Sequence, residues 1–159
     1  MGFTTADLYD AHGDKVQVAL SIFKDYGGRK NFHGPVSTIK VFEDNSLVRA
    51  ALEEQGKGRV LVVDGGESLR CALVGDLLAQ LGKDNGWQGI IVSGCIRDSA
   101  VIATIDIGVK ALATSPRKSM KKGTGDRDIQ VMFAGVNFTP GDYVYADEDG
   151  VLISPEKLT

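Results

Sequence analysis

Gly58-Arg59-Val60-Leu61-Val62-Val63-Asp64-Gly65-Gly66 and Gly89-Ile90-Ile91-Val92-Ser93 are the stretches whose reading decides the fold. Each is a short, unbroken apolar run beside glycine, as expected of a strand covered on both faces. Val109 to Thr114 reads as a third strand of the same kind. Between and before these runs the periodicity turns helical. Asp44 or Asn45 can cap a helix reaching about Gln55, with Leu47, Val48, Ala51 and Leu52 on one face. Ser68 to Val74 and Leu77 to Leu81 read as helical, and Ser99 to Ile105 as one or two helical turns. Alternating strand and helix predicts a largely parallel central sheet.

Working outward, Pro35 to Phe42 is rich in β-branched residues and reads as a strand. Thr4 or Thr5 can cap a short helix through Asp10 that ends near Gly13. After Pro116 the chain turns to short strands at 129–133, 136–138, 143–146 and 151–154. Pro140-Gly141-Asp142 and Asp147-Glu148-Asp149-Gly150 are its clearest turns. The expected fold class is therefore α/β, with a largely parallel core sheet and a β-rich C-terminal third. No repeat or linker divides residues 1–159, so a single domain is expected.

The net charge of −3 offers no electrostatic footprint for direct nucleic-acid binding or for an anionic membrane. No apolar stretch approaches the ~18–20 residues of a membrane span, and the first ten residues lack a signal-like basic and apolar pattern. A cytoplasmic location is expected. Cys71 and Cys95, in apolar or glycine-flanked segments, read as buried thiols rather than a disulfide framework.

Familiar catalytic signatures are missing: there is no GxSxG elbow, no P-loop and no HExxH. His12 and His33 have no metal-ligand spacing, and Gly65-Gly66 lacks the spacing of a dinucleotide loop. Any metal would be a hard cation on oxygen ligands, magnesium or manganese. Two places can carry chemistry. In Gly75-Asp76-Leu77-Leu78, Asp76 can cap a helix whose first amides bind carboxylates. Arg97-Asp98 follows a buried strand, where ligands of α/β sheets gather. Taken singly, a capped helix and a surface ion pair are the plainer readings. Twenty residues separate Asp76 from Arg97, enough for one helix, one turn and one strand, so the two places can meet at one sheet edge.

The pattern Asp76-x20-Arg97-Asp98 resembles the signature of the 4-hydroxy-4-methyl-2-oxoglutarate aldolases. The segments Tyr26-Gly27-Gly28-Arg29, Val41-Phe42-Glu43-Asp44-Asn45, Gly58 to Gly66, Asp106-Ile107-Gly108 and Tyr145-Ala146-Asp147 resemble the regulator of ribonuclease activity A, of the same superfamily. That resemblance implies a β/β/α swivelling-domain fold and a homotrimer. It also implies substrate contacts from Gly75, Asp76, Leu77, Leu78 and Arg97, and a divalent metal at Asp98. The regulator's best-known form keeps the arginine but lacks the following aspartate and the Gly-Asp, all of which stand in this sequence.

The implied activity is metal-dependent cleavage of 4-hydroxy-4-methyl-2-oxoglutarate to two pyruvates, with oxaloacetate decarboxylation through the same enolate. Asp76, Arg97 and Asp98 are the expected catalytic residues, with Asp76 positioning Arg97 or a proton-shuttling water. The alternative function is a non-catalytic regulator that binds an endoribonuclease. A Schiff-base route would need a lysine in an apolar pocket. Lys110 is the candidate, although an outward-facing strand position explains it better. The basic run Pro116 to Gly123 reads either as a solvated loop or as a rim attracting dianionic substrates.

Overall fold

The computed structural model describes residues 2–159. Helix α1 (Thr5–His12) is capped by the Thr4 hydroxyl, which accepts from the Asp7 amide at 3.0 Å. Strands β1 (Gln17–Val18), β2 (Lys24–Asp25) and β3 (Phe32–Lys40) follow, then helix α2 (Ser46–Leu52). Strands β4 (Val60–Asp64) and β5 (Ala72–Val74) precede helix α3 (Asp76–Asp84). Strand β6 (Gly89–Ile96), helix α4 (Ser99–Ile102) and β7 (Gly108–Thr114) complete the central part. The rest is β8 (Asp126–Arg127), the pair β9 (Val131–Phe133) and β10 (Val136–Phe138), then β11 (Tyr143–Asp147) and β12 (Gly150–Ser154).

The main sheet runs in the order β1-β12-β11-β3-β4-β6-β7-β2. Strands β3, β4, β6 and β7 are parallel, while β11, β12, β1 and β2 join antiparallel at the flanks. This is the α/β class with a parallel core and a β-rich C-terminal third. Alternation along β4 explains its unbroken apolar sequence. Leu61 and Val63 pack with Leu52, Leu78, Trp87 and Ile90 on the helical face. Val60 and Val62 pack with Ile91, Phe133, Phe138 and Ile153 on the other. All four β4 valine and leucine side chains are fully buried.

Phe32, also buried, occupies a slot left by two glycines in register on neighbouring strands, Gly89 and Gly108. A Cβ at Gly89 would stand 2.4 Å from the ring and one at Gly108 2.1 Å from it. The absent side chains let the aromatic ring cross the sheet where β6 and β7 begin.

Two expectations need correction. Ser68 to Val74 is not helical: its last three residues form β5, parallel to β6, and 68–71 is irregular chain with a bend at 70–71. Cys71, Ala72, Leu73 and Val74 are all buried, so no solvent face exists to give a helix its period. Lys110 does not face outward. It is 2% exposed, and its Nζ donates to Asp25 Oδ1 and to the Asp147 carbonyl, each at 2.8 Å. A buried ammonium needs such partners, and they tie β7 to β2 and to the β11–β12 turn.

The basic run 116–123 is tied down by a carboxylate. Asp44, 2% exposed, accepts through Oδ1 from the Ser46 amide at 2.9 Å. Its Oδ2 accepts from the Lys122 amide at 2.8 Å, the Thr124 amide at 3.2 Å and the Thr124 hydroxyl at 3.1 Å. Burial alone pushes this carboxyl up, but the hydrogen bonds from Ser46, Thr124 and Lys122 outweigh it and hold Asp44 well below the usual carboxylate range. Asp147 behaves alike: burial raises it, and the Thr5 and Asp149 donors win.

Replacing Gly108→Ala should lower the urea midpoint by an amount equivalent to about 1–3 kcal/mol, because the Phe32 ring has nowhere to retreat. A midpoint within error of wild type would argue against the slot. Carboxylates depressed by folding contribute stability that is present above their unfolded pKa and is lost as pH falls towards the folded one. Asp44→Asn should therefore be less stable than wild type at pH 7, with the gap closing below about pH 4. Thermal unfolding of both proteins across that range checks it, and a gap independent of pH would refute the clamp.

Candidate functional site

Strand β4 pairs with β6 only as far as Asp64 and Ser93. Beyond that point β5 takes over, pairing Ala72 with Cys95 and Val74 with Ile96. The two strand ends therefore lie side by side, and the Arg97 amide donates to the Val74 carbonyl at 2.9 Å. Gly75-Asp76 leaves one strand and Arg97-Asp98 leaves the other. The twenty residues between Asp76 and Arg97 hold the rest of α3, a turn and β6, as the spacing predicts.

Asp98 adopts a left-handed backbone, φ 59° and ψ 39°, which costs a non-glycine residue energy but is tolerated by aspartate. That turn swings its carboxylate to α3 instead of its own helix. Oδ2 accepts the Asp76 amide at 3.1 Å. Gly75 makes the approach possible: a Cβ there would lie 2.8 Å from Asp98 Oδ2 and 3.5 Å from the Arg97 side chain.

The expected capping by Asp76 is corrected. Gly75, not Asp76, occupies the N-cap of α3, and Asp76 is its first helical residue. Asp98 sits at the N-cap of α4 without a side-chain cap there. The first turn of α3 draws its carboxylate from Asp98 because a helix start is positive and the neighbouring strand ends beside it. Asp76 Oδ1 accepts from the Leu77 amide at 2.9 Å and makes no hydrogen bond to Arg97. The first bond of the α3 ladder runs from Ala79 to Gly75, so the Leu78 amide has no partner among the described residues.

Gly75, Asp76, Leu77, Leu78, Arg97 and Asp98 all line one cleft of about 240 Å³. The Arg97 guanidinium reaches the Pro116 carbonyl at 3.4 Å and is otherwise available. Motif reading missed Asn45 and Arg49, which arrive from α2 and its cap, and Ala72. Lys118, Ser119 and Lys121 bring the basic run into the same wall, so the rim reading describes it better than a free loop does. Nothing local marks Asn45 or Arg49; the packing of α2 against α3, with the Asn45 side-chain amide donating to the Leu73 carbonyl at 3.1 Å, brings them here.

The donor set suits a hard cation better than a closed cage. Among the described residues no group of three or more His, Cys, Asp or Glu is placed to hold a metal. Asp98, with Asp76 near it and no side chain at Gly75 to fill the gap, matches the way magnesium binds: one or two carboxylates, water and ligand oxygens. Both cysteines are buried free thiols with pKa values raised by burial, and neither lines the cleft. A larger hollow of about 500 Å³ lies between α1, β1 and β12, lined by Tyr9, Val18 and Leu152 with Asp10 and Asp149. Apolar and acidic, it has the wrong character for a small anion. Lys110 is in neither of these places.

No helix among the described residues is long and apolar enough to cross a membrane. A family model described as RraA-like, Aldolase/RraA, matches residues 5–153. Provisionally named 4-hydroxy-4-methyl-2-oxoglutarate aldolases are similar over nearly their whole lengths. That of Alkalilimnicola ehrlichii is 58% identical over 99% of this chain and 98% of its own. That of Aromatoleum aromaticum is 60% identical over 99% of each. Among solved structures, one described as an S-adenosylmethionine:2-dimethylmenaquinone methyltransferase of Geobacillus kaustophilus is 52% identical, covering 98% of this chain and 97% of that one, with a TM-score of 0.96. The RNA-processing inhibitor RraA of Thermus thermophilis is 45% identical, covering 100% and 96%, also with a TM-score of 0.96. Three different activities are thus attached to one architecture, which the fold alone does not separate. The chain belongs to the RraA-like, Aldolase/RraA family.

Proposed function

We propose that this chain is a carbon–carbon lyase acting with magnesium or manganese. It cleaves 4-hydroxy-4-methyl-2-oxoglutarate to two pyruvates and decarboxylates oxaloacetate. The observation that carries the reading is the junction of strand ends, where Asp98 Oδ2 meets the Asp76 amide at 3.1 Å beside Arg97. The names of the full-length relatives support the aldolase activity. The cleft, about 240 Å³, is smaller than the ~300–1,000 Å³ typical of sites for drug-sized ligands, and it favours a short acid over a nucleoside cofactor.

Cleavage breaks the C3–C4 bond, leaves its electron pair on the C1–C3 fragment as pyruvate enolate, and removes the proton of the 4-hydroxyl so that C4, its methyl group and C5 leave as the second pyruvate. Arg97 places a permanent positive charge where the enolate forms and can grip a carboxylate with two parallel hydrogen bonds. The Leu78 amide, uncommitted at a helix start, donates to a substrate carboxylate. Asp98 is the residue that would hold a divalent cation, which would supply Lewis-acid stabilisation of the enolate charge. Asp76, its Oδ1 fixed by the Leu77 amide, takes the hydroxyl proton directly or through a water. The same group then returns a proton to C3. Oxaloacetate loses carbon dioxide from C4 and reaches the same enolate with no hydroxyl proton to remove.

A second reading, a protein that binds and dampens an endoribonuclease, is favoured by the likeness to the RNA-processing inhibitor of Thermus thermophilis. It leaves the charged cleft without a task. A pull-down with an RNA-degrading endoribonuclease separates the two, since binding without turnover would support the inhibitor.

Pyruvate release from both substrates should be strong with magnesium or manganese and abolished by EDTA. Folded protein with neither activity would sink the lyase reading. Asp98→Ala should lower both activities by about 10²–10³-fold and blunt the response to metal. Arg97→Lys, which keeps charge but loses the planar fork, should cost about 10²-fold. Asp76→Asn should impair aldol cleavage by about 10²-fold or more while oxaloacetate decarboxylation suffers much less. Equal losses in both reactions would remove Asp76 from proton transfer. Borohydride reduction with pyruvate should leave no adduct on Lys110, Lys118 or Lys121.

A further inference from the structure

We propose that the hollow between α1, β1 and β12 is a docking groove for an amphipathic helix of a partner protein, one whose apolar residues are flanked by lysine and arginine. The groove shares no lining residue with the cleft, so the inference stands apart from the lyase reading.

Tyr9, Val18 and Leu20 are 49%, 51% and 61% exposed. Tyr9 and Val18 line the hollow of about 500 Å³ together with Ala6, Val151 and Leu152. A smaller hollow of about 70 Å³, lined by Leu20 and Phe23, adjoins it across Asp149, Gly150 and Val151. Single exposed apolar residues are ordinary, whereas a continuous apolar strip inside a polar rim marks a binding surface.

The rim is acidic. The segments on either side of the strip, residues 1–14 and 141–156, hold eight of the chain's 21 acidic residues and none of its 18 lysines and arginines. The rest of the chain is therefore net positive although the whole carries −3. Asp147 is turned inward to Thr5, but Asp10 and Asp149 line the large hollow, and no lysine or arginine does so among the described residues. Glu148 lines the smaller one. Complementary charge selects a basic partner and steers its approach. The same carboxylates repel nucleic acid and anionic lipid.

Backbone pairing decides how that partner lies. Strand β12 is already paired on both sides, with β1 and with β11. The outer side of β1 is covered by the β9–β10 hairpin. Gln17 donates through Nε2 to the Asn137 carbonyl at 3.1 Å and accepts its amide through Oε1 at 2.9 Å. The Leu20 amide donates to the Ala134 carbonyl, also at 2.9 Å. Strand addition is thus closed, and side chains are what the groove can receive, as when a helix lays its apolar face into a groove. Lysines beside that face reach Asp10, Glu148 and Asp149.

The probe is a fluorescein-labelled leucine–lysine peptide of about 14 residues, with leucine at i, i+3, i+4 and i+7 so that one helical face is apolar. Its control has the same composition in an order without that face. In fluorescence anisotropy with the full chain at about 0.15 M salt, the patterned peptide should bind at least about tenfold more tightly than its control. Val18→Glu adds a carboxylate while spoiling the apolar floor, and should weaken the patterned peptide by about tenfold or more. Attraction by charge alone would tighten it instead. Asp10→Asn combined with Asp149→Asn should weaken it by about three- to tenfold. Met132→Glu, exposed outside both hollows, should bind as wild type does. Thermal unfolding checks that Val18→Glu is folded, and the aspartate pair carries the test if it is not. Equal binding of the two peptides, binding of neither, or variants that bind as well as wild type would overturn the groove. So would sedimentation in which wild type is an oligomer and Val18→Glu is not, because a second copy would then cover this face.

Discussion

Where β4 ends, β5 continues the sheet, and the parallel pairing of Val74 with Ile96 is the contact on which the rest depends. A three-residue strand is a weak element by itself. It is held because all its side chains are buried and because the Ala72 amide and the Val74 carbonyl are both paired, to Arg117 and Arg97. That short splice extends β6 beyond its neighbour. It brings the start of α3, the Arg97-Asp98 turn and the basic run into one place. Remove it, and the carboxylates and the guanidinium have no common wall.

The electrostatics follow from this geometry. The positive start of α3 faces the end of β6, and the left-handed turn at Asp98 aims a carboxylate at it. Gly75 keeps that approach open, so the carboxylate is held by an amide while remaining reachable from solvent. The other anionic anchor, Asp44, is buried and has its oxygens committed to backbone amides and hydroxyls. One aspartate is therefore committed to structure, and the other keeps a carboxylate reachable from the cleft. Their different burial marks the division. The names attached to similar structures, a methyltransferase and an RNA-processing inhibitor among them, divide where the fold does not. The residues in the cleft are a better guide to the reaction than the sheet that carries them.

Much of this was legible in one dimension because some signals are local. The continuous burial of β4 and β6 required by helices on one face and β9, β10 and β12 on the other appears directly as Val60 to Val63 and Ile90 to Val92. The Thr4 cap, the tight turn before Asp142 and the spacing of Asp76 from Arg97 are of the same kind. Each depends on neighbours close along the chain, or on a path length that a helix and a strand fill in only one way.

What the tertiary structure alone decided is where a residue's partners come from far away. Ser68 to Val74 has no periodic solvent face, so only the exposed edge of β6 beyond Ser93 makes its last three residues a strand. Lys110 looks like a strand lysine pointing to water until Asp25 and the Asp147 carbonyl enclose it. The carboxylate at the start of α3 comes from Asp98, 22 residues on from the amide it accepts. Chain order encodes period, turn and spacing. A carboxylate's choice of amide belongs to the folded surface, because hydrogen bonds and burial depend on distance in space.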